Sequence, residues 1–312
     1  MKPTIVAVLG PTATGKSALA LALAERFEGE IISCDSTAVF RGFDIGTDKV
    51  SAADRRDIPH HLIDVADPTE DYTAADYARD AAAAIRDIHA RGRLPILAGG
   101  TGFYYRALTR GLFPGPGRDA ALRQRLEEIA STRGVLFLHR MLRRVDLPSA
   151  GRIQPKDLKR IVRALEVFFL TGRPLTSHFA ETVPPIPDLD VIGMAVRLPA
   201  AAISERVEKR IAEQFDRGLL DEIRALQARG IPDAARPFGG LVYRQALEFL
   251  HGVRDEPATR ALIAQQNRQY ARRQLIWFRK EPTLSWLDGP GESPATIAAA
   301  TRLIEDRMRV RL

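Results

Sequence analysis

The densest chemistry in this 312-residue sequence lies in one octapeptide, Gly10-Pro11-Thr12-Ala13-Thr14-Gly15-Lys16-Ser17. It follows an apolar run, Ile5 to Leu9, and opens an Ala/Leu-rich stretch with helical spacing, Ser17 to Phe27. A G-x-x-x-x-G-K-S spacing between a strand and a helix is that of a phosphate-binding loop. Glycines let successive backbone N–H groups turn inward around phosphate oxygens, and the helix N-terminus adds partial positive charge. Lys16 then neutralises a terminal phosphate, and the Ser17 hydroxyl suits a Mg²⁺ ion. Such a cradle takes phosphate chains in general. A diphosphate leaving group fits it as well as a nucleotide such as ATP.

Other residues of chemical interest sit at the ends of apolar runs. Asp35 follows Ile31 to Cys34, at the carboxyl end of an expected strand, where open α/β sheets bind ligands. A carboxylate there can act as general base, hold a metal or cap a turn, and its position alone leaves all three open. Gly99-Gly100-Thr101-Gly102 follows the run Leu94 to Ala98. Its glycines permit close backbone approach to a ligand and leave one hydroxyl directed at it. Arg217 lies about 200° round a helix from Phe215, off that helix's apolar seam, and is able to reach an anion. Cys34 reads as core, and the adjacent His60 and His61 read as structural, since neighbours on a strand face opposite ways.

The elements that must position these residues follow from the apolar pattern. Runs at Ile5–Leu9, Ile31–Cys34, Leu94–Ala98 and Val191–Val196, with a further candidate at Leu62–Val65, alternate with helical stretches such as Thr73–Arg91. Such alternation predicts an α/β fold with a parallel sheet and helices on both faces. Two breaker clusters, Phe113-Pro-Gly-Pro-Gly117 and Pro184-Pro-Ile-Pro187, bracket a different segment. Within it Ala120–Ala130 and Asp157–Thr171 read as helices. Arg118 to Arg173 holds thirteen basic and six acidic residues, matching the net charge of +7 of the whole chain. The expected organisation is therefore a P-loop core, 1–113 and 188–312, interrupted by a small helical insertion, 114–187. The C-terminal part turns helical after Val196, with an apolar seam at Ile203, Val207, Ile211 and Phe215.

Composition sets outer bounds. With 45% hydrophobic and 27% charged residues the chain is globular, and no apolar run approaches the ~18 residues that would span a bilayer. The start, Met1 to Leu9, has no signal-peptide pattern, one cysteine excludes an internal disulfide, and no Cys/His cluster has zinc spacing. A cytoplasmic location is expected. The basic balance suggests an anionic partner, and the arginines are placed where such a partner can be gripped. From Pro257 to Lys280 there are six basic residues and no acid, with Arg268, Arg272 and Arg279 on one face and Tyr270 and Trp277 opposite. Lys159, Arg160 and Arg163 stud the helix whose other face is Leu158, Ile161, Leu165 and Phe168. Both surfaces suit phosphate-backbone contact.

Together these segments resemble the tRNA dimethylallyltransferase (tRNA isopentenyltransferase) family, from Gly10 to about Glu281. The resemblance rests on Gly10–Ser17, the segment Asp35–Thr47, Pro59-His-His-Leu-Ile-Asp-Val65, Gly99–Leu108, Arg160–Val167, Gly218–Glu222, Tyr243–Gln245 and Arg268–Gln274. It implies transfer of a dimethylallyl group from its diphosphate to N6 of adenine 37, beside the anticodon, in tRNAs reading codons that begin with U. In that reading the cradle holds the donor's diphosphate with Mg²⁺, and Asp35 takes the N6 proton. Thr101 and Arg217 lie around the diphosphate and the reacting centre. The resemblance assigns tRNA contacts to Asp35, Ser36, Thr37, Ala38, Thr101, Arg123, Lys159, Arg160, Ile161, Val162, Arg163, Gly240, Leu241, Val242, Tyr243, Arg244 and Gln245. The expected partners are thus the tRNA anticodon stem-loop and dimethylallyl diphosphate, with no membrane, and the expected state is a monomer. The chain departs from the family where Thr37-Ala38-Val39-Phe40 replaces the usual Met-Gln-Val-Tyr, and Gln154-Pro155-Lys156-Asp157 replaces His-Pro-Asn-Asp. Ala38 cannot hydrogen-bond a base edge as a glutamine amide would. The competing readings are a P-loop kinase of a small metabolite and an RNA-binding protein switched by a nucleotide.

Overall fold

In the computed structural model, which describes residues 2–309, the first apolar run forms β1 (Thr4–Leu9) and the cradle leads into α1 (Lys16–Arg26). Met1 and residues 310–312, at the ends of the expected core, lie outside the described residues. The chain continues through β2 (Gly29–Cys34), β3 (His60–His61), α2 (Ala74–Ala90), β4 (Leu94–Gly99) and α3 (Gly102–Arg110). Five helices follow: α4 (Ala120–Arg133), α5 (Val135–Val145), α6 (Leu147–Arg152), α7 (Leu158–Thr171) and α8 (Leu175–His178). Then come β5 (Asp190–Arg197), α9 (Ala200–Asp216), α10 (Leu219–Ala228), α11 (Leu241–Leu250), α12 (Glu256–Phe278), β6 (Ser285–Asp288) and α13 (Pro294–Arg309).

All six strands form one parallel sheet in the order β3-β2-β4-β1-β5-β6. The side-chain period of two divides its core. Ile5, Ala7 and Leu9 face a cluster with α2, α3 and α9 to α12, while Val6 and Val8 face α1 and α13. β1 is wholly buried from Ile5 to Leu9, as a strand covered on both faces must be. Its carboxyl end, with those of β2 and β4, carries the cradle, Asp35 and Thr101 to the same edge of the sheet. Among the described residues no helix is long and apolar enough to cross a membrane.

Two expectations about strands are corrected here. Leu62–Val65 is not a strand: Leu62 and Asp64 both take positive φ, which breaks extended pairing, and the ladder is confined to His60 and His61. The sheet also gains a sixth strand after Val196, β6, whose Met194↔Ser285 to Arg197↔Asp288 pairing extends the edge beside β5. Its four residues contain only Trp286 and Leu287 as apolar signal, too little for a periodicity to register.

The described parts of Met1–Thr109 and Ile186–Leu312 make one compact unit, and Arg110–Pro185 makes the second. The second unit packs α4, α5 and α7 around Leu126, Leu138, Leu142, Ile161 and Leu165. Its ends are tied by an antiparallel bridge between Leu112 and Val183. α5 and α6 extend the helical content beyond the two helices read from the sequence. Charge is built into the interior as well: Glu166 is fully buried and accepts from Arg123 Nε and Nη2 at 2.7 and 2.8 Å, Arg163 Nη1 at 2.7 Å and the Asp119 N–H at 2.9 Å.

Candidate functional site

The cradle is built as its sequence demands. Gly15 caps α1 with φ +83°, a conformation that side-chain-bearing residues rarely adopt, and no side chain caps the helix. The first turn also carries no acid, and the one carboxylate against Gly15, that of Glu292, is paired with Arg206. Lys16 Nζ donates to the Pro11 carbonyl at 2.6 Å, folding the side chain back over the loop. Burial, reinforced by the neighbouring Arg210, pulls the Lys16 ammonium down to about 8. A cation so placed gains from any anion that enters.

Asp35 begins the turn after β2. Its Oδ1 accepts from the Thr37 N–H at 2.8 Å, the Thr37 hydroxyl at 2.6 Å and the Ala38 N–H at 3.4 Å. The turn-capping role is therefore real, and it occupies one oxygen only. Oδ2 takes no hydrogen bond among the described residues. Beside it, the Thr101 hydroxyl accepts from the Ser36 N–H at 3.0 Å, and the Thr101 N–H donates to the Cys34 carbonyl at 3.1 Å. These two bonds lock the loop after β2 to the loop after β4. The neighbouring glycines serve packing before any ligand. A Cβ on Gly100 would stand 2.3 Å from Gln274 Nε2, and one on Gly102 would stand 2.3 Å from the Trp277 indole. Cys34 is buried, and burial pushes its thiol up to about 12, consistent with an inert core residue.

Two openings meet at this edge. The larger, about 460 Å³, is lined by Thr12, Lys16, Ser17, Asp35, Gly99, Gly100, Arg210 and Arg217. The smaller, about 230 Å³, is lined by Asp35, Ser36, Thr37, Gly240, Leu241, Val242, Tyr243, Asn267 and Tyr270. Thr12, Asp35, Thr47, Asp48, Arg210 and Tyr270 belong to both. Asp35 thus stands on the wall shared by a space lined by the cradle and a second space with a different lining.

Sequence reasoning missed three residues of this site. Arg210 donates to the Thr12 hydroxyl at 2.8 Å and pairs with Asp48 at 3.0 Å, whereas Arg217 lies farther out, 3.8 Å from the same carboxylate. Asp48 therefore holds both guanidinium groups at the mouth of the cradle. Gln274, buried one turn before the end of α12, accepts from the Thr12 N–H at 2.8 Å and donates to the Gly100 carbonyl at 2.9 Å. It pins cradle and glycine turn together. Its local hints were its place at the end of the segment Arg268–Gln274 and the absence of acid from Pro257 to Lys280.

The remaining expected positions divide by exposure. Ala38, Val242, Tyr243 and Gln245 are buried, and Ile161 and Val162 are in the core of the second unit. Tyr243 has another task. Its hydroxyl donates to Glu222 Oε1 at 2.5 Å and accepts from the Gly46 N–H at 3.0 Å. Glu222 Oε2 also receives the N–H groups of Asp44 and Ile45, at 2.9 and 2.8 Å. Together they fix the loop that carries Asp48. Arg123 and Arg163 are committed to Glu166, while Lys159, Arg160 and Arg244 present exposed side chains.

Residues 38–281 match the family model described as IPP transferase. The chain belongs to the IPP transferase family. It is an enzyme of that family, alike over nearly its whole length to curated members. It is 47% identical to the tRNA dimethylallyltransferase of Solibacter usitatus, over 93% of this chain and 94% of that one. It is 42% identical to that of Koribacter versatilis, over 97% and 98%. Among solved structures, the full-length tRNA isopentenylpyrophosphate transferase of Bacillus halodurans superposes with a TM-score of 0.72 at 33% identity, covering 99% of both chains. A eukaryotic dimethylallyltransferase solved acting on tRNA gives 0.78 at 25% identity, over 97% of this chain and 78% of that one. The six-stranded parallel sheet with flanking helices is the family's fold.

The donor set at the cradle also suits a magnesium ion. Mg²⁺ prefers a hydroxyl and one or two carboxylates, with phosphate oxygens and water completing its octahedron. Ser17, exposed in the larger opening, supplies the hydroxyl of that description.

Proposed function

We propose that this enzyme transfers the dimethylallyl group of dimethylallyl diphosphate to N6 of adenine 37, beside the anticodon, in tRNAs reading codons that begin with U, releasing diphosphate. The observation that carries the reading is the position of Asp35, between the opening lined by the cradle and the second one. A donor diphosphate in the first opening and an adenine in the second would meet at its carboxylate. The larger opening has the size of an ordinary small-ligand site, roughly 300–1,000 Å³.

The chemistry needs few parts. The exocyclic amine of adenine is a weak nucleophile because its lone pair is delocalised into the ring. As the bond from N6 to C1 of the allyl group forms and the C1–O bond to diphosphate breaks, the N6 proton passes to Asp35 Oδ2. Lys16, Arg210, Arg217 and the N–H groups of the cradle offset the charge of the departing diphosphate. Mg²⁺ held by Ser17 would add further charge neutralisation. The Asp35 oxygen that caps the turn keeps the other aimed outward. The target base must leave the anticodon-loop stack to enter, and basic, partly exposed surfaces favour the loop that presents it.

The test is mass spectrometry of an unmodified tRNA after incubation with enzyme, Mg²⁺ and dimethylallyl diphosphate. A gain of one C5H8 unit on the adenosine next to the anticodon is expected. Hydrolysis or transfer of ATP phosphate without RNA, and no such gain, would replace this reading with a small-molecule kinase. Tight tRNA binding with no covalent product at all would instead point to a nucleotide-switched RNA binder.

A further inference from the structure

We infer that Phe103 is a stacking platform for an unpaired base of the RNA acceptor, adjacent to the base that enters the site. The inference rests on the transferase reading above and adds a residue to it. Phe103 is the second residue of α3, two positions from Thr101, and it is 55% exposed, whereas Tyr104 and Tyr105 beside it are 3% exposed. An aromatic ring left in water two residues after the Thr101 turn has no packing reason to be there.

Its surroundings identify the partner. On α3, Phe103 and Arg106 share one face at i and i+3. The Arg106 guanidinium lies over the Trp277 ring at 4.8 Å from its centroid, and Gly102 makes room for that same ring. Arg106 also donates to the buried Glu281 carboxylate at 2.9 Å, which holds it in place while its side chain stays 40% exposed. On α12, Trp277 follows the exposed Arg273 one turn earlier, and the exposed Lys280 lies in the turn just after the helix. The exposed ring therefore lies within one acid-free run, residues 88–118, on a surface that is basic and aromatic by turns, next to a second acid-free run, Pro257 to Lys280. A protein partner would be met by an apolar patch with a mixed polar rim. Interleaved arginines and aromatics are instead the grip for single-stranded nucleic acid, where the cations follow phosphates and a ring takes a base face without reading its identity. An anticodon loop offers such bases on either side of the one that is withdrawn.

The experiment uses the full chain and a tRNA anticodon stem-loop with 2-aminopurine placed beside the target adenine. Binding to the wild-type enzyme should quench the probe through stacking, and Phe103→Ala should lose that quenching while Phe103→Trp keeps it. Stem-loop affinity of Phe103→Ala should fall roughly 5- to 100-fold, the range of one base–aromatic stack, with donor affinity unchanged as the control for folding. Wild-type affinity and wild-type quenching in Phe103→Ala would overturn the inference. Wild-type stem-loop affinity together with loss of binding to an unrelated protein would show a protein-docking ring instead, and would also overturn it. If the wild-type enzyme transfers no prenyl group, the transferase reading fails on its own, because the quenching needs no turnover.

Discussion

At the scale of single residues, Asp35 carries the sharpest expectation. Its two oxygens are divided between capping a turn and facing the shared wall of the two openings. Asp35→Asn preserves shape and can keep its carbonyl oxygen on the Thr37 N–H, so the fold should survive while kcat falls by roughly 10²–10⁴-fold, the usual reach of a general base. A purely metal-holding role predicts instead a raised Mg²⁺ requirement with kcat recovered at saturation, so titrating Mg²⁺ and donor against the mutant decides between them. Lys16 gives a pH signature. Burial and Arg210 bring it to about 8 in the ligand-free site, and an incoming diphosphate favours its charged form. Below pH 8 the ammonium is already present and donor affinity should be flat in this group. Above pH 8 binding must take up a proton, and affinity should fall by up to about tenfold per pH unit. Measuring donor affinity from pH 7 to 9.5 checks this, and Lys16→Met should bind weakly with that slope gone. Both residues were legible from short motifs, because a cradle and a strand-end carboxylate are local in sequence. Arg210, Asp48 and Gln274 were not, since their partners lie 162 to 262 residues away along the chain and no spacing announces them.

Elements, at the next scale up, act through what they hold still. The loop between β2 and β3 presents Asp48 to both arginines because Glu222 of α10 and Tyr243 of α11 clamp the N–H groups of Asp44, Ile45 and Gly46. Tyr243→Phe removes one hydroxyl that serves two bonds in a buried place. A loss of about 1–3 kcal/mol in stability is expected, with the donor KM raised more than the tRNA KM. An equal rise in both would return Tyr243 to the tRNA surface that the resemblance assigned to it. The helical second unit has its own fastening in Glu166. Burial alone would raise this carboxyl, but the bonds from Arg123, Arg163 and the Asp119 N–H hold it at about 2. The sign follows: stability from this group is complete above the ordinary carboxylate value of 4.5 and is lost as pH falls towards 2. Glu166→Gln should cost the unit about 3 kcal/mol by leaving two guanidinium groups against a neutral amide, and its acid unfolding should lose the step that circular dichroism reads in the wild type. The helices Ala120–Arg133 and Leu158–Thr171 were legible from their apolar spacing. Their fastening was not, because a charge run looks the same in sequence whether its arginines face water or converge on one buried acid.

For the whole molecule, the distribution of charge matters more than its sum. The net charge of +7 equals that of the segment Arg118–Arg173, so outside this segment the two signs balance. Yet the arginines there are not alike. Arg163 spends its guanidinium on Glu166 and the Pro116 carbonyl, at 2.7 and 2.9 Å, and Arg123 is bound to the same acid. Lys159 and Arg160 stand on the exposed face of α7, and Arg160 is 73% exposed at its side chain with only a loose 3.5 Å approach to Asp157. Counterion release separates the two classes. Replacing Lys159 and Arg160 by Ala should leave thermal stability unchanged, weaken tRNA binding at low salt, and reduce the slope of log affinity against log salt by roughly two, one for each phosphate no longer gripped. Arg163→Ala should do the reverse, lowering stability through the unpaired half of Glu166 while the salt slope moves little once the protein is folded. A salt slope that stays at its wild-type value in the Lys159/Arg160 double mutant would mean that this face is merely solvated. The electrostatic grip on RNA would then rest on the acid-free segment Pro257 to Lys280, where Arg272, Arg273, Arg279 and Lys280 are exposed.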